Sequence, residues 1–383
     1  MCPYPLLLSG GYFARGGAKN INAEPYASDL VEMWADASGK KIEVVARGID
    51  DKARDLLEGY VNEDGIYTKR CHYWEGGMWM DDKLLWIDQI LGSQAATPAM
   101  KARAKAVAVL FGAILWDDDF VPMFEGHDLN LGTPNMPDME AGLRNRFALF
   151  LARHPMMQGR VTAAVRETGR ILAHDINECG AHMACVHYVG ASMSQMLDVM
   201  QQLKMAGATD FFRDEPRAAK FAEFYMQCTT PPEPRFGNRR MNISVGDGTT
   251  ESSYLFGQMA TGFADCNPAL SRRLAGLWRA QGKPHSGGAG TSLLKIDEDL
   301  PSASPQLGSA NFFGQFSVLR SGWETPQETA VWLVNGNHAF DHCHNDQGSV
   351  VLYALGAPLS IDWGPMYCPN AGGALYHSAD VGV

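Results

Sequence analysis

The chain has 383 residues, 46% of them apolar and 20% charged, and a net charge of −11. That is enough for two domains of globular composition, and the acidic balance argues against general nucleic-acid binding. No apolar run is long enough to span a bilayer, and Met1 to Phe13 lacks the basic n-region of a signal peptide. Eight cysteines occur without a CxxC pair, so no zinc ribbon is indicated and the redox compartment stays open.

In chain order, the first 300 residues read as helices joined by long loops. Lys83 to Leu91 follows the acidic pair Asp81-Asp82, a favourable helix start. Pro98 to Trp116 carries its proline in the first turn. Glu140 to Arg153 and Val161 to His174 have apolar residues at three-to-four spacing. His182 to Met205, Glu215 to Cys228 and Ala269 to Gln281 complete the series, which suggests antiparallel helix pairs. The connections are rich in Gly, Pro and Asn: Leu129 to Asp138, the twenty-residue Thr229 to Gly248, and a linker over Pro284 to Pro305.

From Asn311 the pattern changes. Phe313 to Arg320, Thr329 to Val334, Ser349 to Leu355 and Pro358 to Asp362 are short, β-branched or aromatic, and bounded by Gly or Asn. They read as antiparallel strands. The expected organisation is a helical domain over 1–300 and the start of a β domain over 301–383. Four strands are few for a sandwich, so the β domain reads as truncated at the C-terminus.

The densest chemistry lies between two strand-like runs, in Asn337-His338-Ala339-Phe340-Asp341-His342-Cys343-His344-Asn345-Asp346. If Asp341 to Asp346 is extended, His342, His344 and Asp346 share one face. Imidazole and carboxylate suit zinc, and the hairpin after the cluster would bring Asp362 towards His344. A hydrogen-bonded polar loop at a sheet edge is the plainer alternative.

A second stretch, Asp247-Gly248-Thr249-Thr250-Glu251-Ser252-Ser253-Tyr254, reads as a loop entering a helix, with Asp247 or Thr249 as cap and Glu251 and Tyr254 on one side. A tyrosine near cations can serve as base and acid; otherwise it is a packed aromatic. Upstream, Asn177-Glu178-Cys179-Gly180-Ala181-His182 precedes His187. Five residues apart on a helix is about 140° of rotation, so His182 and His187 would not share a site, and His182 suits a cleft at a helix end. Each is equally readable as an ordinary helical histidine.

Arg235, Arg239 and Arg240 in the long loop could clamp carboxylate or sulfate, or be surface charges. Asp117-Asp118-Asp119 and Asn130 to Asn135 lack calcium-loop spacing and read as solvated loop. Tyr73, Trp74, Trp79 and Trp116 could stack on sugars or fill a core.

Three runs together resemble the heparinase II/III-like family of polysaccharide lyases. They are Gly314-Gln315-Phe316-Ser317-Val318-Leu319-Arg320-Ser321-Gly322-Trp323, then His342-Cys343-His344-Asn345-Asp346-Gln347-Gly348-Ser349, then Leu352 to Asp362. The likeness lies in a strand ending in Arg-Ser, a His-x-His-x-Asp stretch, and an apolar strand followed by an Asp just before a Gly. Asp247 to Tyr254 resembles the Asp-Gly…Glu-Ser-x-Tyr motif of that family's helical domain. The resemblance implies an incomplete (α/α) toroid followed by an antiparallel β-sandwich, with the cleft between them. It implies β-elimination on a uronate-containing anionic polysaccharide or oligosaccharide, a secreted or periplasmic location, and a structural Zn²⁺.

By that likeness His344 and Asp362 are zinc ligands. His377, in Tyr376-His377-Ser378, is the downstream candidate for a third, although the family usually has Asn after this His. Tyr254 and His342 are the catalytic residues, and the family's Asn/His pair maps onto Asn177 and His182. Glu251, His187 and the three arginines fall on the substrate side. A glycoside hydrolase would instead need two carboxylates at fixed separation, for which Asp117 to Asp119 with Glu251 is the available set. A non-catalytic zinc-stabilised carbohydrate-binding protein would keep the metal residues and have no use for Tyr254.

Overall fold

A computed structural model describes residues 81–116, 134–285, 295–336, 342–344 and 346–362, with short pieces at 43, 46–47, 49–51, 124–125 and 128–129. Asp117 to Asp119, His338, His377, Tyr73, Trp74 and Trp79 lie outside the described residues.

The main helices are α1 (Asp81–Gly92), α2 (Pro98–Leu115), α3 (Asn135–Phe150), α4 (Arg160–Asp175), α5 (Val186–Ala206), the single turn α6 (Phe211–Asp214), α7 (Pro216–Gln227), α8 (Leu255–Phe263) and α9 (Pro268–Ala280). Three begin with a capping side chain followed by proline. Thr97 caps α2, Glu215 caps α7 and Asn267 caps α9; each accepts a backbone N–H of the first turn, and the proline fixes φ where no N–H partner is needed. Gly207 ends α5 in a left-handed conformation at φ 68°. Helix α3 packs on α4 and α5, and α8 on α9.

After a two-residue hairpin, β1 (Phe124–Glu125) with β2 (Asp128–Leu129), the chain forms a five-stranded antiparallel meander. Its strands are β3 (Ala310–Phe312), β4 (Phe316–Ser321), β5 (Thr329–Val334), β6 (Val350–Ala354) and β7 (Ala357–Ser360), paired in sequential order. Alternation sends Phe316, Val318, Ala330, Trp332, Val351 and Tyr353 to one buried face. That face meets the end of α7. Phe224 stacks on Phe316 at 5.3 Å, and Trp332 Nε1–H donates to the Gln227 carbonyl at 2.9 Å.

Two arginines complete the junction. Arg320, at the Arg-Ser end of β4, donates to Gln227 Oε1 at 2.8 Å and to the carbonyls of Gln227 and Thr229. Arg240 forms a buried two-pronged pair with Glu328 at 2.7 and 2.8 Å and lies 3.8 Å over the Trp323 ring. A helical region followed by an antiparallel sheet is thus present.

Four local expectations are corrected. Asn135 opens a helix rather than closing a solvated loop. The long helix expected from His182 starts at Val186, leaving His182 in a tight turn bridged by Ile176 and His182. Helix α8 starts at Leu255, so Glu251 precedes it and pairs in a bridge with Asn242. His342 is not extended: its φ of 55° is left-handed and bends the chain.

Candidate active site

The site forms where the loop 246–254 meets the loop 342–346. Asp247 is its anchor. Its carboxylate is 1% exposed and is shared by two imidazoles: Oδ2 lies 2.7 Å from His342 Nδ1 and Oδ1 lies 2.8 Å from His344 Nε2. The loops are joined too, since Asp247 N–H donates to the His342 carbonyl at 3.0 Å and Gly246 N–H to the Asp346 carboxylate Oδ2 at 3.0 Å. Gly246 sits at φ 65°, and a β-carbon there would come within 2.6 Å of the His342 carbonyl, so only glycine fits. Alternation along a strand was the wrong reason to group His342 with His344. A bent backbone and one shared carboxylate bring them together.

The helical region supplies the facing groups. Asn135, the first residue of α3, places its side-chain nitrogen 3.0 Å from His342 Nε2. Tyr188, in the first turn of α5, stacks flat on the His342 ring at 3.6 Å with 3° between planes. These contacts define the tautomer. The amide donates to Nε2, so Nδ1 carries the proton and donates it to Asp247. The Asp247 carboxylate on one side and the Asn135 amide on the other hold the His342 ring in place. His344 donates from Nε2, which leaves Nδ1 with the lone pair a cation needs. A carboxylate orienting a ligating histidine through its other nitrogen is a recurring feature of zinc sites.

Next to Tyr188, His187 Nδ1 lies 2.8 Å from Glu251 Oε1. That hydrogen bond and the Glu251 charge raise the His187 pKa above its ordinary value against the opposing effect of burial, with Asp247 contributing. Tyr254 is three residues beyond Glu251, at the N-cap of α8 and half-buried against the core. Asp346 is pushed up by burial first and by the nearby Asp362 carboxylate second. Asp362 and Asp346 are thus close enough to repel.

Other candidates have different surroundings. Asn177 ties its own turn and the sheet: Oδ1 accepts N–H from Cys179 and Ala181 at 3.1 and 3.0 Å, and Nδ2 donates to the Phe313 carbonyl at 2.7 Å. His182 is fully buried, and its Nδ1 accepts the Ala184 N–H at 3.0 Å. With Asp138 and Asp175 it forms a buried group whose donor atoms lie within 4.8 Å of one another. The Ala184 bond puts the His182 proton on Nε2, which makes that atom a donor towards acids rather than a metal ligand. Arg240 is committed to Glu328, and Arg235 grips Glu233 through Nε and Nη2 at 2.9 and 3.0 Å. Arg239 lies against Gly282, where a β-carbon would meet its guanidinium at 3.0 Å. Trp116 is core, covered by the guanidinium groups of Arg144 and Arg160 at 4.3 and 4.7 Å.

Asn135 and Tyr188 carried no sequence signal beyond lying near a helix start. Asp247 was legible only as a cap.

No protein-family model and no curated protein matches the chain. Solved structures do. A heparinase III structure matches with TM-score 0.58 at 14% identity, over 93% of this chain and 54% of that one. A second heparinase III gives 0.57 at 17% identity, over 79% and 45%. The heparan sulfate lyase HepC from Pedobacter heparinus gives 0.55 at 13%, over 92% and 51%. The chain spans about half the length of these structures. By these likenesses the chain has the fold of the heparinase-like polysaccharide lyases.

Proposed function

We propose that the protein is a polysaccharide lyase that cleaves a uronate-containing anionic polysaccharide or oligosaccharide by β-elimination. The observation that carries the reading is His342, held by Asp247 and Asn135 and stacked on Tyr188 at the meeting of the two regions. In this reaction a base removes the proton beside the uronate carboxylate. The electron pair becomes a ring double bond, the bond to the glycosidic oxygen breaks, and that oxygen takes a proton.

An ionised carboxylate makes the neighbouring proton a poor acid, so donors must meet the charge that develops on it. The Asn135 amide and the raised His187 imidazole stand beside His342 for that task. Tyr254 acts as base and then acid for a proton on the leaving-oxygen face, and His342 serves the opposite face. Asn177 and His182 support this wall from within their turn, Glu251 holds His187, and Arg239 with Arg235 lies on the substrate side.

The meander is the inner layer of a β-sandwich, and the helices are part of an (α/α) toroid. In support, the sheet's outer face is apolar at Leu319, Leu333 and Val350, which are 64%, 40% and 44% exposed. A polysaccharide substrate favours a secreted or periplasmic location. Among the described residues no helix is long and apolar enough to cross a membrane.

Zinc would be held by His344 through Nδ1 with Asp362, and His377 as the further candidate; among the described residues His344 and Asp362 do not fall in a group of three donor atoms within 4.8 Å of one another, so the site would have to close around the ion. A Zn²⁺ held there would supply a fixed positive charge beside His342. Metal analysis of purified protein is expected to find about one zinc per chain, lost in His344→Ala; a metal-free wild type rejects the site.

The function is tested by incubating the protein with heparan sulfate, alginate and ulvan. A lyase creates unsaturated uronate ends that absorb in the ultraviolet, and Tyr254→Phe is expected to abolish the signal in a folded protein. New reducing ends without absorbance would identify a hydrolase, and full activity of Tyr254→Phe would remove the tyrosine from the chemistry.

A further inference from the structure

Beneath Glu251 and Tyr254 lies a closed ring of four buried polar side chains from four separate elements. Gln281, just past α9, donates from Nε2 to Asn242 Oδ1 at 2.8 Å. Asn242, in the loop before the site, donates from Nδ2 to the Tyr225 hydroxyl at 3.0 Å. Tyr225, on α7, donates to Ser253 Oγ at 2.9 Å. The ring closes through the Ser253 N–H, which donates to Gln281 Oε1 at 2.6 Å. All four residues are at most 6% exposed.

The ring holds three backbone groups around Tyr254. The Glu251 carbonyl accepts the Asn242 N–H at 2.6 Å, the Ser253 N–H is taken by Gln281, and the Leu255 N–H donates to Ser253 Oγ at 3.3 Å. This matters because the segment 249–254 has no regular structure and α8 starts without a side-chain cap from Tyr254. Burial holds the Tyr225 phenol protonated well above its ordinary range, so it is a fixed donor and not a second base.

We infer that Tyr225, Asn242, Ser253 and Gln281 are positioning residues that set the place of Tyr254 and of Glu251 against His187. A satisfied buried ring is rigid, and opening it at one point leaves buried polar atoms without partners. Displacing a reacting group by about 1 Å costs on the order of 100-fold in rate. The catalytic side of the inference rests on the lyase reading; the ordering of the segment does not.

The test uses the full chain with Tyr225→Phe, Ser253→Ala and the double variant. Thr168→Val serves as control, because Thr168 Oγ1 makes a buried bond to the Ala164 carbonyl on α4 and takes no part in the ring. Amide hydrogen exchange is read on peptides spanning 249–258, and turnover is read on heparan sulfate and alginate. Tyr225→Phe is expected to speed exchange at least tenfold in those peptides. It is also expected to lower kcat about 10- to 100-fold with KM within twofold. The double variant should be no worse than either single one, as for members of one network. Thr168→Val should lose thermal stability with exchange in 249–258 and kcat unchanged. Unchanged exchange in 249–258 for Tyr225→Phe overturns the inference whatever the activity. Faster exchange with no unsaturated product from the wild type leaves the positioning intact and refutes the lyase reading. Faster exchange with unchanged kcat in an active wild type overturns the catalytic role of the ring.

Discussion

The two walls of the site are built by opposite means. The helical wall hangs on regular structure: Asn135 is the first residue of α3, and His187 and Tyr188 lie in the first turn of α5. Their directions follow from two helices that pack on each other. The other wall, residues 342–344 and 346, has no regular structure and includes a non-glycine residue at positive φ. It is held to the upstream loop by one backbone bond, one backbone-to-carboxylate bond and two imidazole contacts, all at Gly246 and Asp247. One wall therefore spreads its geometry over many weak contacts, and the other concentrates it in one carboxylate. Substitution should damage them very differently.

The largest effect is expected at Asp247. In Asp247→Asn the new amide nitrogen faces an imidazole N–H, so one of the two histidines must turn or change tautomer. Removing the carboxylate from an oriented imidazole costs about 10³- to 10⁴-fold in kcat in comparable dyads, and the same order is expected here. Thermal unfolding should show a loss of about 1–3 kcal/mol, as when a buried hydrogen-bond partner is removed. Activity within threefold of wild type would mean that His342 is held by its Tyr188 stack instead, and the contrast between the walls would fall.

Next comes the junction between helices and sheet. Glu328→Gln leaves the Arg240 guanidinium buried without its charged partner, a change expected to cost about 3–5 kcal/mol. Denaturant unfolding measures the loss. The folded fraction should turn over substrate normally, because this contact fixes the regions and not the reacting groups. A raised KM in fully folded protein would instead return Arg240 to the substrate.

How much of this was legible in the sequence follows the same division. The helices were readable because Pro98 and the apolar spacing carry local signals, and the strands because β-branched residues alternate. Strand β3 was missed, since Ala310-Asn311-Phe312 has no such pattern. The histidine cluster was conspicuous by density alone, yet its geometry depends on Asp247, 95 residues upstream of His342, and on a left-handed turn that alternation does not foresee. Asn135 and Tyr188 are single residues whose meaning comes only from the helices they begin. The ring under Tyr254 draws on four elements, and no local pattern announces a long-range hydrogen bond.

The smallest expected effect lies on the helical wall, at His187 and Glu251. Their side chains are 43% and 34% exposed, so solvent screening keeps the pair below about 1 kcal/mol. Its sign can still be read. The Glu251 hydrogen bond raises the His187 pKa in the folded protein above the unfolded value. The folded state therefore binds the proton more tightly, and the pair contributes its full stability below the unfolded pKa of about 6.5. That contribution fades as pH rises through the folded pKa. Thermal melts of wild type and Glu251→Gln should differ most near pH 6, where Glu251 is ionised and His187 protonated, and converge by pH 9. A gap that is constant across this range would show that the Glu251 side chain does not act through the titration of the His187 imidazole. Because the β wall hangs on Asp247, the Glu251 substitution should leave the His342 contacts in place, so that only the helical wall responds to this titration.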